Sequence, residues 1–404
     1  MNTVKVYYST TDYHPPYRVD IVELFCHCMP KMGIEVEWYM ARAQQGGCEM
    51  VYFAGQKVNL PKRLKSSGLL AKIFNKIFYW LCDILGLLKC LFKPLDLIHV
   101  RDKYFAALVG LLVARIKGIK FIYWCSYPFP EHDLECVRIE KGVNRYFYLV
   151  RGWFGNLTLY RLVMKYGDHV FVQSEQMKLD ITQYGVAPEK MTSVPMGVPQ
   201  RLLDWATTHP VRVVQCRVVY LGTMATVRRL HVLIDAFATV RLRCPQATLV
   251  MVGDGDLSHE RPALEQQVAA LGLSDAVTFT GFVPIEEAWS FAASAAVCVS
   301  PFFPTKVLAS TSPTKLVEYM AIGRPVVCND HPEQSEIIRE SGAGTCVAWG
   351  ANEFADAIVW MLENPQEAEL MGAQGPAWVE ANRTYPIITE KVWQRYQSIL
   401  GLSA

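Results

Sequence analysis

Between Ser310 and Ile338 the chain reads STSPTKLVEYMAIGRPVVCNDHPEQSEII, which sets a helix start, a lysine and a glutamate within about one turn of each other. Ser312 suits the N-cap and Pro313 the first helical position, so the amides of Thr314 and Lys315 are expected to point outward as an anion site. Lys315 adds a full positive charge there. Leu316, Val317, Met320 and Ala321 mark the buried face of the helix, and Glu318 lies one turn beyond the cap. Gly323 ends the helix, Val326 to Asn329 follows as a strand, and Asp330 to Glu336 opens a further helix. Amides and an ammonium for phosphates, with a carboxylate for two ribose hydroxyls, fit a nucleoside diphosphate. A capped helix with a Lys315–Glu318 surface pair is the alternative reading.

A second basic group could act on the same anion. Val218 to Thr223 is a strand entering a turn at Gly222 and Thr223, and Arg228 and Arg229 follow where the next helix begins. A guanidinium there can clamp a diphosphate and stabilise charge that grows on it; two solvated arginines are the alternative. Val252-Gly253-Asp254-Gly255-Asp256 ends another strand, and its glycines read as a tight turn more than as a metal site, so no metal is expected. In the first half, the segment Ser9 to Arg18 reads as a loop able to line a site. Within it Asp12, His14 and Arg18 are candidates, with a solvated His14 as the plain alternative.

These groups need elements to hold them. The chain has 404 residues, a length for which two domains of about 200 are the natural expectation. Strand signals at Val4 to Tyr8, Ile34 to Tyr39, Leu97 to Arg101, Phe121 to Cys125, His169 to Val172 and Met191 to Val194 alternate with helical ones. The pattern restarts at Arg217 to Leu221 and continues through Ala247 to Val252, Val277 to Thr280, Ala296 to Ser300, Pro325 to Cys328 and Gly344 to Val347. The expectation is an α/β protein with two doubly wound parallel sheets facing a cleft, divided into residues 1–205 and 206–404. Net charge is +2, which speaks against nucleic acid as a partner. Twelve scattered cysteines lack zinc spacing and suggest reduced thiols in a cytoplasmic protein, and no signal peptide is read at the start.

The run Pro313, Lys315, Glu318, Tyr319, Met320, Ala321, Gly323, Pro325, Val326 and Val327 resembles the donor-binding segment of the retaining nucleotide-sugar glycosyltransferases of family 4, which have GT-B architecture. The resemblance covers nearly the whole chain. It implies transfer of a sugar, with retention, from a UDP- or GDP-type donor to a hydroxyl of a glycan or lipid-linked acceptor, as in polysaccharide or glycoconjugate synthesis. It implies no permanently bound cofactor and no metal. Arg228 and Lys315 would be catalytic; Gly222, Thr223, Gly253, Ser312, Pro313, Thr314 and Glu318 would bind the donor, and Phe282 and Val283 would match the loop that holds the base. On the acceptor side it places Arg101, facing the cleft, and Ser126, beside which His14, Arg18, Tyr127 and Glu131 are candidates from their own positions in the sequence. The last helical signal, Ile387 to Leu400, would cross back to the first lobe. The chain departs from the family where Ser310 stands for the first of two frequent glutamates, Ser126 for a frequent histidine and Arg229 for a frequent glycine. A non-catalytic GT-B partner subunit, in which Ser310 and Ser126 record lost chemistry, and a sugar-nucleotide 2-epimerase are the alternatives.

Leu69 to Phe92, LLAKIFNKIFYWLCDILGLLKCLF, is strongly apolar but interrupted by Lys72, Lys76, Asp83 and Lys89. On a helical wheel these charges and Asn75 share an arc of roughly 140°, opposite Ile73, Phe74, Ile77, Trp80, Leu81, Ile84, Leu88 and Leu91. The expectation is an in-plane helix on the inner face of an anionic membrane, helped by Lys62, Arg63 and Lys65. The alternatives are a core-facing helix with a solvated basic face and a true membrane span, against which the charges at bilayer depth would count.

Overall fold

The computed structural model describes residues 3–65, 68–139 and 142–402. The chain divides into two compact units, one running up to Pro195 and resuming at Tyr385, the other spanning Met196–Thr384. The first contains strands β1 (Val4–His14), β2 (Ile34–Arg42), β3 (Glu49–Phe53), β4 (Gln56–Leu60), β5 (Leu97–Arg101), β6 (Lys120–Cys125), β7 (His169–Val172) and β8 (Met191–Ser193). They form one sheet in the order β3-β4-β2-β1-β5-β6-β7-β8, parallel except for β3 against β4. The second unit contains β9 (Arg217–Leu221), β10 (Thr248–Val252), β11 (Val277–Gly281), β12 (Val297–Ser300), β13 (Val326–Asn329) and β14 (Gly344–Val347). Its order is β11-β10-β9-β12-β13-β14, all parallel.

Helices cover both faces of each sheet. That is why the central strands are continuous apolar runs: β5, β7, β12 and β13 are buried at every position, with no solvent face to alternate towards. Each sheet separates two apolar cores. In the second unit Val218, Tyr220 and Val299 point into one, and Val219, Cys298 and Val326 into the other.

Three features differ from the expectation. The β3–β4 hairpin extends the first sheet at its edge; its turn, Ala54-Gly55, has positive φ at both residues, as a two-residue hairpin turn demands. The units divide before Met196, ten positions ahead of the expected boundary, because Leu202, Leu203 and Trp205 of helix Gln200–Thr208 bury themselves in a second-unit core. And β1 continues to His14, so that after an irregularity beyond Ser9 two residues of the segment read as a loop, Tyr13 and His14, pair with Ala41 and Arg42 of β2. The last helix, Tyr385–Leu400, packs on the first unit, burying Tyr385, Ile388, Val392 and Tyr396, and Tyr396 shares a 2.7 Å hydrogen bond with His99.

Helix Leu69–Lys89 turns its apolar side outward. Ile73, Phe74, Ile77, Trp80, Leu81 and Leu88 are between 42% and 51% exposed, so the core-facing alternative does not hold. Of the polar arc, Asp83 and Asn75 meet the protein, Asp83 buried against Lys103 and Ser9 and the Asn75 side chain accepting from Leu64 N at 2.7 Å, while Lys72, Lys76 and Lys89 stay exposed. Among the described residues no helix is long and apolar enough to cross a membrane.

Candidate active site

The second sheet reverses its winding between β9 and β12, and ligands of such sheets bind beyond the carboxyl ends of the strands at that point. Gly222 and Gly253 follow β9 and β10 there, with φ of +141° and +123°. A Cβ on Gly253 would lie 2.3 Å from the Gly222 carbonyl oxygen, so the two backbones come too close for any side chain. A Cβ on Gly222 would lie 2.7 Å from Lys315 Cε and 3.3 Å from its Nζ. The bare turn thus makes room for the lysine.

Lys315 stands in the first turn of helix Thr314–Ala321 and is 7% exposed. Its ammonium lies over the faces of Tyr220 and Phe302, 5.2 and 5.1 Å from the ring centroids, and no carboxylate pairs with it among the described residues. Arg228 stacks on the same Phe302 ring at 5.9 Å, and its Nε donates to Thr223 Oγ1 at 3.1 Å. Burial, and then the neighbouring guanidinium, push the Lys315 pKa well below that of a free lysine, with Glu318 opposing. Glu318 is half-buried, and desolvation raises its carboxyl to about 7 even though Lys315 draws it down. The site therefore concentrates positive charge with no carboxylate in ion-pair contact with Lys315 or Arg228 among the described residues, and a bound polyanion would supply that partner.

The helix start is not built as the sequence suggests. Pro313 occupies the N-cap position, and no side chain caps the helix. Ser312 Oγ instead donates to Glu333 at 2.7 Å and accepts from Met196 N at 2.9 Å, while Thr314 N donates to the Ser312 carbonyl at 3.1 Å. With that amide engaged, the Lys315 and Arg228 side chains carry more of the anion-binding capacity than the helix end. Arg229 is likewise not in a helix; it is a left-handed residue, φ +53°, stacked on Phe303, and helix His231–Arg243 begins two residues later. A left-handed conformation is the physical reason for a glycine preference at this place.

Sequence reading missed the second layer of the site. Tyr319 Oη accepts from Leu221 N at 2.7 Å, which ties the lysine-bearing helix to the end of β9. Asn329 clamps Phe302 through both backbone groups, its Oδ1 accepting at 2.7 Å and its Nδ2 donating at 2.9 Å. Aromatic and amide residues distant in sequence carry no spacing signal, so these contacts emerge only when the strands align. Phe282 is exposed beyond β11, whereas Val283 packs on a core. Asp254 is taken up by Gly255 N and Arg261. Ser310 is buried, with its hydroxyl on the Lys306 carbonyl, and puts no carboxylate at the glutamate position.

In the first unit the candidates separate. Arg101 does not face outward: it is fully buried, 2.6 Å from Asp20 and stacked on Trp124. Burial alone would raise the Asp20 pKa, but Arg101 and Arg18 pull it down to about 2. Arg18 sits 3.3 Å from Asp20. His14, half-buried, lies edge-on to Phe53. Ser126 hydrogen-bonds Asp102 through its amide and hydroxyl, Tyr127 Oη meets His132 at 3.2 Å, and Glu131 accepts from Tyr160 at 2.6 Å. His14 and Arg101 end β1 and β5 and the others follow β1 and β6, but Arg18, Arg101, Ser126, Tyr127 and Glu131 engage neighbouring side chains of the same unit.

A family model described as Glycosyltransferase Family 4 matches residues 21–201, and one described as Glycosyl transferases group 1 matches residues 215–364. Between them they take in every strand of both sheets except β1. The chain belongs to glycosyltransferase family 4. This family 4 chain is 24% identical over 284 residues to the alpha-monoglucosyldiacylglycerol synthase of Streptococcus pneumoniae, covering 66% of its own length and 59% of that protein. It is 30% identical over 155 residues to the alpha-D-kanosaminyltransferase of Streptomyces kanamyceticus, 38% of each. The chain thus spans less than two thirds of either relative. Among solved structures, sucrose-phosphate synthase from Thermosynechococcus elongatus superposes with a TM-score of 0.74 at 18% identity over 99% of this chain and 100% of that one. Anabaena HepE, solved in complex with UDP, gives 0.70 at 18% identity over 98% and 100%. These likenesses establish the GT-B fold.

Proposed function

We propose that this family 4 chain transfers a sugar, with retention of configuration and without a metal, from a nucleoside diphosphate donor to a hydroxyl of a glycan or lipid-linked acceptor. The observation that carries the reading is the buried Lys315 ammonium, lacking a carboxylate partner among the described residues and set beside Arg228 at the switch point of the second sheet. A diphosphate placed there gains two cations, and Glu318, one turn away, accepts from the ribose hydroxyls. As the glycosidic bond breaks, negative charge collects on the departing diphosphate, and the two cations bind that charge more strongly than they bind the donor. An acceptor hydroxyl arriving on the same face can pass its proton to the departing oxygen, which gives retention without a carboxylate nucleophile. In this reading the second unit binds the donor and the first the acceptor. Incubating the protein with radiolabelled UDP- and GDP-sugars and a bacterial lipid extract should move label into the organic phase for one of them. Absence of transfer from every donor, in a preparation that binds nucleotide, would favour a partner subunit instead.

The outward apolar face of helix Leu69–Lys89 supports peripheral contact with an anionic membrane, with Lys62, Arg63 and Lys65 adding about 1 kcal/mol each near such a surface. The structure adds a second helical face that the sequence reading left out: Tyr146, Phe147, Val150 and Trp153 of helix Gly142–Gly155 are also exposed. The protein should float with vesicles containing phosphatidylglycerol, and the double variant Leu81→Asp, Leu88→Asp should lose most of that binding. Equal flotation of the variant would rule the helix out as the contact.

A further inference from the structure

A cavity of about 870 Å³ in the first unit lies between helix Leu69–Lys89, the start of helix Phe105–Lys117, and helices Phe129–Ile139 and Gly142–Gly155. That volume is within the range of about 300–1,000 Å³ usual for ligand sites. Its walls are aromatic and aliphatic. Trp80 stacks on Phe105 with centroids 5.9 Å apart and planes 9° from parallel, and Ile77, Phe129, Phe147 and Phe154 complete the lining. Such a concentration of apolar surface open to solvent marks a binding site.

The charges of the lining define what enters. Lys103 donates to Asp83 and to Ser9, each at 2.8 Å, beneath the faces of Tyr39 and Tyr79. Asp102 holds Ser126, and Arg151 is paired with Asp133. Lys76 alone among the charged lining residues has no carboxylate partner within the described residues; its ammonium rests over Phe147, 5.8 Å from the centroid, and so joins the two helices across the cavity. A ligand for this site needs a long apolar body and one anionic end. A nucleotide or a free sugar would leave the walls unmatched.

From this we infer that the cavity holds the hydrocarbon chain of a phosphate-bearing amphiphile, with Lys76 at its phosphate. The inference rests on the transferase reading for its consequence, since it would place a lipid-linked acceptor in the first unit; binding itself does not depend on that reading. Two sources share this chemistry: a polyprenyl phosphate that carries the acceptor glycan, and a membrane phospholipid.

Trp80 in the wall supplies the readout. A monoalkyl phosphate brominated along its chain, used below its micelle concentration, should quench a saturable fraction of the emission, about a tenth if all ten tryptophans emit equally. Trp80→Phe should abolish that fraction, and Ile77→Asp and Lys76→Glu should each weaken binding about tenfold or more, whereas Leu85→Asp, on the same helix but outside the lining, should not. Competition by a polyprenyl phosphate identifies the acceptor as occupant; competition by phosphatidylglycerol vesicles alone identifies a bilayer lipid. Quenching that does not saturate, or that is the same in Trp80→Phe and Ile77→Asp proteins of normal melting temperature, would overturn the inference. Thermal protection by nucleoside diphosphates, measured on the same preparations, separates that result from failure of the transferase reading.

Discussion

Lys315→Ala will slow sugar transfer by about 10²- to 10³-fold, the loss found when one charge-stabilising donor is removed from an active site, and it will do so without unfolding the protein. The lysine meets the conditions for that effect: it is buried, held by the faces of Tyr220 and Phe302, and next to a second cation. A group so placed has little to do for the fold and costs it stability. Its pKa is depressed in the folded state, so the penalty is fully present below the depressed value and is relieved as pH rises towards that of a free lysine. Lys315→Met, which keeps the packing and removes the charge, should therefore melt higher than the parent at pH 7, and the gain should shrink in alkaline solution. A structural lysine would show the opposite, with a loss of melting temperature in both variants. Near-normal turnover in Lys315→Ala would remove this residue from the mechanism.

Glu318→Ala should weaken nucleoside diphosphate binding about 10- to 100-fold, the equivalent of losing hydrogen bonds to a charged group. The pH dependence is the sharper test. Desolvation holds this carboxyl near 7, so in the free protein it keeps its proton over much of the range between 4.5 and 7. A carboxylate accepting from two hydroxyls must be ionised, so affinity should rise with pH up to about 7 and then level off. Glu318→Gln should lose that rise. The free protein shows the linked effect in reverse: a raised carboxyl pKa makes its stability contribution fall as pH climbs from 4.5 to 7, and bound nucleotide offsets the fall.

The central parallel strands were legible because a strand buried on both faces must be an apolar run, and Leu97 to Arg101 and His169 to Val172 lie where such runs are expected. The β3–β4 hairpin was not, because its turn is Ala54-Gly55 in place of the commoner Asn-Gly, and its strands alternate weakly. At the site, sequence spacing brings Lys315 and Glu318 together, but the cap was misplaced because Ser312 finds tertiary partners in Glu333 and Met196 that outcompete its own helix. Arg101 was misread for the same kind of reason. A charged residue at a strand end looks solvent-facing until Asp20, 81 positions away, is seen to meet it. The wheel of Leu69 to Phe92 separated polar from apolar correctly, yet could not say which side faces the protein, since Asp83 is drawn inward by a lysine on another element.

The central claim is that the ends of β9 and β10, with the helix from Thr314, form a nucleoside diphosphate site. A ligand that binds the native state raises its melting temperature by mass action, so the most direct test is a thermal unfolding screen of the purified protein with UDP, GDP, ADP, CMP and dTDP, each with and without magnesium. Selective protection by one diphosphate, unaffected by magnesium and lost in Glu318→Ala, is the predicted result; protection by none, or undiminished protection of the variant, would contradict it.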